Sequence, residues 1–278
     1  MATLSGRTVF ITGGSRGVGL AIARRCGADG ANVVLAAKTE RPHPKLPGTL
    51  PEAAAAVEAA GGRCLPVVTD IRDEAAAQAA VDAAVARFGG IDILVNNASA
   101  IDLRGTLDLP MKRFDLMHQV NARGTYLCSQ SCLPHLLRAE NPHILTLAPP
   151  LDLQPRWFSG HVGYSLAKFG MSLCMLGMAE EFRDRGVACN ALWPRTLLKT
   201  AAVDNLLGGP ALSARGRHPE IVADAAHVIL TRPSRECTGQ FFIDEDVLRG
   251  EGVTDFSGYQ VDPALPESEL VLDLFVDR

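Results

Sequence analysis

The sequence predicts a doubly wound α/β domain: a parallel sheet of about seven strands with helices on both faces. Two observations carry this. Strand-like runs at 8–12, 32–37, 64–69, 91–96, 143–148, 187–193 and 239–243 alternate with helical patterns at 17–29, 52–60, 73–88, 112–139, 162–184 and 219–231, the rhythm of right-handed βαβ crossovers. The strands are also almost continuously apolar, as strands buried on both faces must be. The 278-residue length fits one such domain over 1–278, with no internal repeat and no low-complexity linker to divide it.

Taken in order, the first strand enters the turn Thr12-Gly13-Gly14-Ser15-Arg16-Gly17-Val18-Gly19, and the helical pattern from Leu20 to Ala28 leaves it. Gly13 permits the sharp turn, Gly17 lets backbone approach a pyrophosphate, and Gly19 lets helix and strand pack closely. The helix N-terminus offers free N–H groups to phosphate oxygens, so this stretch reads as a dinucleotide site. After the second strand, 38–51 carries Pro42, Pro44, Pro47, Pro51 and Gly48, a stiffened loop expected to border the adenosine end of the cofactor. The fourth strand ends in Asn96-Asn97-Ala98-Ser99, at the carboxyl edge where ligands of open parallel sheets bind. Asn121 interrupts an otherwise helical stretch, and asparagine there competes for backbone hydrogen bonds, which predicts a distorted turn holding a water.

The pattern at 162–184 contains Tyr164-Ser165-Leu166-Ala167-Lys168. Spacing of i, i+4 puts Tyr164 and Lys168 on one helix face. A phenol of pKa about 10 is a poor acid–base group at neutral pH, and an ammonium beside it favours the phenolate. The same helix carries Phe169, Met171, Leu173, Met175, Leu176 and Met178, more apolar surface than one core-facing stripe needs, so a surplus face is expected to pack on a second copy. Beyond the sixth strand, 194–219 with Gly208-Gly209-Pro210 reads as a substrate lid. The extension 245–278 is acidic with few helix signals, and is expected to cover a subunit face or a neighbour's site.

Composition narrows the function. Hydrophobic residues at 47% and charged residues at 21% describe a globular chain. A net charge of −4 argues against a nucleic-acid surface. No apolar run approaches the roughly 20 residues of a membrane span, and no basic segment followed by an apolar one marks secretion. Seven cysteines without a C-x-x-C pair read as reduced thiols of a cytoplasmic protein, and the histidines show no metal-ligand spacing.

The glycine turn, Asn96-Asn97-Ala98, an internal helix asparagine and Tyr164-x-x-x-Lys168 stand in the order of the short-chain dehydrogenase/reductase superfamily, which the chain resembles from about Gly6 to the seventh strand. Ala36-Ala37-Lys38-Thr39 with Pro42-His43-Pro44-Lys45-Leu46, Gly177 to Phe182, Asn190 to Pro194 and Phe242 to Glu245 are similar to the hydroxysteroid dehydrogenase-like protein 2 group. Members of that group can carry a C-terminal sterol-carrier domain, which this chain is expected to lack. The resemblance implies a Rossmann-type fold, an NADP(H)-linked interconversion of carbonyl and alcohol on a small-molecule substrate, and a homodimer or homotetramer. It implies that Tyr164 donates or accepts the proton, that Lys168 lowers its pKa and binds the nicotinamide ribose, and that Asn121 holds a relay water. Gly13, Ser15, Arg16, Gly17, Val18 and Gly19 would hold the pyrophosphate, with Asp70 at the adenine and Asn97 beside the ribose and nicotinamide channel.

Cofactor choice has its own argument. Folds of this kind that bind NAD place an acid after the second strand, whereas here Ala37-Lys38-Thr39 follows it and Arg16 sits in the turn. Two cations there favour a 2′-phosphate, hence NADP(H). The chain also departs from the superfamily. A catalytic serine usually stands about thirteen residues before the tyrosine; here that residue is Leu151, and a two-residue insertion would bring Pro149 into the slot. Thr146 and Ser159 are the nearby hydroxyls, and Arg195 follows Pro194 where glycine is usual. The leading expectation is an oxidoreductase acting on an apolar, lipid-, acyl- or steroid-like substrate. The alternatives are a catalytically weak NADP(H)-binding regulatory protein, and a lyase or epimerase using the same tyrosine.

Overall fold

The computed structural model describes residues 3–42 and 47–277; the part of the proline-rich loop at 43–46 lies outside them. Seven strands, β1 (Thr8–Thr12), β2 (Asn32–Ala37), β3 (Arg63–Val68), β4 (Ile93–Asn96), β5 (His143–Thr146), β6 (Ala188–Trp193) and β7 (Phe241–Ile243), form one parallel sheet in the order 3-2-1-4-5-6-7. The helices are α1 (Gly17–Ala28), α2 (Leu50–Ala59), α3 (Glu74–Phe88), α4 (Met111–His118), α5 (Gly124–Leu136), α6 (Val162–Glu181), α7 (Gly209–Ser213), α8 (Glu220–Thr231) and α9 (Asp244–Gly250). Strand order reverses between β1 and β4, and a ligand crevice opens at such a point on the carboxyl edge. Two apolar layers sandwich the sheet. Ile22 of α1, Val57 of α2 and Ile229 of α8 lie in one, and Val81 of α3, Leu136 of α5 and Met175 of α6 in the other.

Local chemistry explains where the elements differ from their sequence pattern. α2 starts at Leu50, so Pro51 belongs to its first turn and not to the loop. Thr49 caps it by accepting from Glu52 N–H at 3.3 Å, while the Glu52 carboxylate accepts from Thr49 N–H at 2.9 Å; a proline in the first turn gives up no helical bond. β3 tolerates Pro66 because it is an edge strand, paired with β2 alone. The helical pattern at 112–139 is α4 and α5 joined by a π-helical turn at Gln119–Arg123, with Asn121 inside it.

α6 meets the length and hydropathy of a bilayer-spanning helix, which corrects the expectation that no segment does; 61% of that stretch is buried inside the fold, as for a core helix. Of its expected surplus residues, Phe169, Met171, Met175 and Met178 are buried internally. Leu173 and Leu176 remain exposed and form one stripe with Val162 and Leu166, and Tyr126 of the neighbouring α5 is exposed as well.

The segment 194–219 is ordered by a π-helical turn at Val203–Leu207, by α7, and by a bridge between Leu198 and Arg217. The extension holds more regular structure than its sequence promises: α9, 3-10 turns at Ser257–Tyr259 and Glu267–Glu269, and an extended end bridged antiparallel to Thr196 through Leu272. An ionic network roots it. Arg217, fully buried, pairs with Glu245 and with Glu267 at 2.8 Å, and Glu245 also receives Arg249 at 2.8 Å and lies 3.7 Å from Arg195. Burial alone would raise the Glu245 carboxyl, but the surrounding guanidiniums hold it below its ordinary value. Removing one partner of a buried pair costs roughly 3–5 kcal/mol, whereas replacing both with apolar residues is often neutral. Urea unfolding of Glu245→Gln is expected to fall near the lower end of that range, because Glu267 remains, and the double variant Arg217→Met, Glu245→Leu is expected to recover most of the loss. A Glu245→Gln protein as stable as the parent would show that the network does not anchor the extension.

Candidate active site

The turn from β1 to α1 is built by close contact with the end of β4. Gly13 has φ +71°, and a Cβ there would stand 2.8 Å from the Cα of Ala98; a Cβ on Gly19 would stand 2.5 Å from Asn97 Nδ2 and 2.7 Å from the Gly13 carbonyl. Side chains at either position would push the two strand ends apart. The Asn97 amide donates to the carbonyls of Thr12 at 2.9 Å and Gly13 at 3.0 Å. Thr12 Oγ1 accepts from the N–H groups of Asn97 and Ala98, each at 3.1 Å. Asn97 therefore lies at the switch point, but its amide is occupied in fastening the turn. Thr12, which the sequence shows only as the start of the turn, is its partner. Arg16 precedes α1 without a side-chain cap, so among the described residues no N-cap side chain meets the first-turn N–H groups of α1.

Three cations follow the carboxyl ends of β1, β2 and β3. Lys38 follows β2, with its Nζ 3.6 Å from Asp70 Oδ2. Asp70, beyond β3, is held by Arg72 in a bidentate pair at 2.6 and 3.0 Å. The Arg72 guanidinium, helped by Lys38, brings the Asp70 carboxyl down to about 2. Arg16 donates through Nη2 to the Gly48 carbonyl at 2.7 Å, while its buried Nε has no partner among the described residues. Arg72 is a further group the sequence reading missed; its place two residues after Asp70 was the available signal.

At the other end, Tyr164 and Lys168 share the buried face of α6, with 5% and 3% of their surfaces exposed. Lys168 Nζ donates to the Leu147 carbonyl at 2.9 Å and sits 5.1 Å from the centre of the Trp193 ring. Burial brings its ammonium down to about 8. The expected lowering of the Tyr164 pKa by Lys168 is not found in this arrangement. Burial pushes the phenol up, and the nearby Asp273 carboxyl adds to the shift. Asn121 is fully buried; its Oδ1 accepts from Ala100 N–H at 2.7 Å and its Nδ2 donates to the Ala100 carbonyl at 3.0 Å. It thereby fixes the loop that leaves β4.

No hydroxyl takes the place of the absent serine among the described residues. Tyr164 has no hydrogen-bond partner there, Thr146 is buried in the sheet with its hydroxyl unpartnered, and Ser159 is exposed. The Ser165 hydroxyl donates to the Trp157 carbonyl at 2.7 Å, and that of Ser172 to the Pro149 carbonyl at 2.7 Å. What faces the phenol is Phe275, stacked on it with centroids 6.2 Å apart and planes 26° apart. The extension thus covers its own chain's tyrosine, where a subunit face or a neighbour's site was expected. It also brings in Asp273, whose buried carboxyl is raised to about 7. The apolar run Leu270 to Val276, interrupted only by Asp273 in an otherwise acidic stretch, was the signal for this packing. Among the described residues, no group of three His, Cys, Asp or Glu is placed to hold a metal ion.

Comparison with known proteins places these features in a family. A family model described as short chain dehydrogenase matches residues 7–207. The chain is 58% identical over 274 residues to hydroxysteroid dehydrogenase-like protein 2 of Danio rerio, an alignment covering 99% of this chain and 65% of that protein, so the chain spans just under two thirds of its length. A solved structure from Xanthomonas campestris is 61% identical with a TM-score of 0.95, covering 99% of this chain and all of that one. A metagenomic short-chain oxidoreductase solved in complex with NADP is 26% identical with a TM-score of 0.71, covering 86% of this chain and 97% of that one. From the glycine turn clamped to β4 through the distorted helix at Asn121 to the paired Tyr164 and Lys168, the chain belongs to the short-chain dehydrogenase family and is similar to hydroxysteroid dehydrogenase-like protein 2.

Proposed function

We propose that the protein is an NADP(H)-dependent oxidoreductase that interconverts a carbonyl and a secondary alcohol on an apolar small molecule. The observation that carries this is the pairing of Tyr164 and Lys168 on the buried face of α6, with an aromatic and aliphatic wall around the phenol. The residues present fit a dinucleotide. Gly13 and Gly19 leave no room for side chains, the start of α1 is uncapped, and the orphaned Nε–H of Arg16 calls for an acceptor. Gly13, Ser15, Gly17, Val18 and Gly19 would hold the pyrophosphate, Asp70 the adenine, and Lys168 the nicotinamide ribose, with Asn97 beside the channel. Arg16, Lys38 and Arg72 follow β1, β2 and β3, the last two paired with Asp70, which suits the extra charge of a 2′-phosphate. The NADP held by a similar oxidoreductase is consistent with this choice.

When bound, a reduced nicotinamide supplies hydride to a carbonyl carbon. Tyr164 holds the proton at its phenol oxygen and delivers it to the substrate oxygen. Lys168, charged below about pH 8, stabilises the phenolate left behind. Asn121 fixes Ala100 and, in this reading, orders the water that returns a proton. The walls exclude bulk water, which strengthens each of these interactions. The missing hydroxyl beside Tyr164 supports a second reading, a catalytically weak NADP(H)-binding regulatory protein, since loss of one oxyanion donor costs about 10²–10³ in rate. All seven cysteines are free, which suits a reducing cytoplasm. The exposed stripe of Val162, Leu166, Leu173 and Leu176, with Tyr126 of α5 exposed as well, suits a symmetric contact with a second copy.

Three outcomes are expected. Calorimetry is expected to show tighter binding of NADPH than of NADH, with Lys38→Ala losing about 1.5–3 kcal/mol for NADPH alone; equal affinity of the parent protein for both cofactors would overturn the assignment. In single-turnover NADPH oxidation with an apolar ketone, Tyr164→Phe is expected to abolish the reaction and leave NADPH binding intact, while a variant as fast as the parent removes the acid–base role. Light scattering at micromolar concentration is expected to give a dimer or tetramer that Leu173→Lys dissociates, and a monomeric parent protein would exclude this assembly.

A further inference from the structure

We propose that Phe275 determines the specificity of the site: it holds the place of the substrate's apolar body, and such a body comes to lie on the Tyr164 ring only by displacing it. The proposal rests on the carbonyl chemistry proposed above for its consequence, but the displacement is a property of the chain itself. Phe275 is 2% exposed and sits among the rings of Trp157, His161, Tyr164, Phe169 and Trp193, with centroid distances from 5.5 to 6.3 Å. With Tyr164 5% exposed and Phe275 stacked on its ring, no apolar body can lie against that ring face while Phe275 is in place.

The segment that carries the ring is firm at one end and weakly held at the other. Leu197 N–H donates to Val271 O at 2.8 Å, Val271 N–H to Arg215 O at 2.9 Å, and Asp273 N–H to Arg195 O at 3.0 Å. Beyond Asp273 no such backbone pairing occurs among the described residues. Trp193 Nε1 donates to the Leu274 carbonyl at 2.7 Å and Arg195 Nη1 reaches the Asp277 carbonyl at 3.3 Å, while the ion pair of Arg156 with Asp277 is exposed on both sides. Exposed pairs of that kind hold little. Phe275 also has φ +71°, the one non-glycine residue in the left-handed region among those described. A phenylalanine is strained there, and swinging out relieves the strain. The vacated space is walled by Trp157, Phe158, Phe169 and Trp193 with His161 at its side, and the two charged groups nearby, Lys168 and Asp273, are of opposite sign, so its occupant is an uncharged apolar ketone or alcohol at least as bulky as a phenyl ring.

The test places 4-fluorophenylalanine at position 275 of the full chain and follows its fluorine resonance, which needs neither cofactor nor turnover. Adding 2-decanone is expected to move the signal from its ring-shifted buried position to that of an exposed ring, and decanoate at equal concentration is expected to leave it unchanged. Phe275→Ala removes the competitor and is expected to bind 2-decanone about tenfold more tightly by calorimetry, because the accessible state no longer has to be selected. A resonance that stays in place while calorimetry records bound 2-decanone overturns the proposal. So does failure of 2-decanone to bind either protein, or an equal response to decanoate. If the ring moves but no ketone oxidises NADPH, the reaction assigned above fails and the displacement stands.

Discussion

The clamp between the glycine turn and the end of β4 is the constraint on which the site depends. Thr12 and Asn97 exchange side-chain and backbone hydrogen bonds across adjacent strands, and Gly13 and Gly19 lack the Cβ atoms that would hold those strands apart. Sheet order reverses at this seam, so helices leave it in opposite directions and the carboxyl edge opens between them. Every other functional group is placed relative to that opening. Lys38 and Asp70 flank it from β2 and β3, while Ala100, held by Asn121, leads toward Tyr164 and Lys168 on the other side.

The two ends of the crevice differ electrostatically. Beyond β2 and β3 the charges are partly solvated and paired, so Asp70 stays ionised beside Arg72. At the tyrosine end the groups are dry. There the same physics brings Lys168 down to about 8 and Asp273 up to about 7, and raises the phenol of Tyr164. A charged group that loses water shifts toward its neutral form unless a partner compensates. The strap of residues 270–277 adds to the burial of Tyr164 and brings Asp273 beside it.

The strap itself is held by charge at its root. Arg217 is buried with Glu245 and Glu267 around it, joining the segment after β6 to α9 and to the extension. Such a network adds little net stability over apolar packing, but it fixes which segment lies where. Residues 274–277 carry Phe275 into the aromatic cluster by packing, with Trp193 donating to the Leu274 carbonyl. Firm placement of the root and loose retention of the tip make a segment that can be moved without unfolding the domain.

The sequence by itself determined the sheet, the glycine turn, the i, i+4 pair at Tyr164 and Lys168, and the helix distortion at Asn121. Each is a local matter: an apolar period, a residue without Cβ, a spacing on one helix, an amide competing with the backbone. Even the start of α2 was legible in Thr49 and Glu52, although four prolines hid it. Only the tertiary structure decided that Asn97 clamps the turn, that Arg72 joins Lys38 around Asp70, and that Phe275 lies over Tyr164. It also divided α6, leaving Leu173 and Leu176 exposed while Met171 and Met175 entered the core. These outcomes join residues far apart in the chain through burial and charge. No period or motif records them, because their energy exists only once the separate elements have packed.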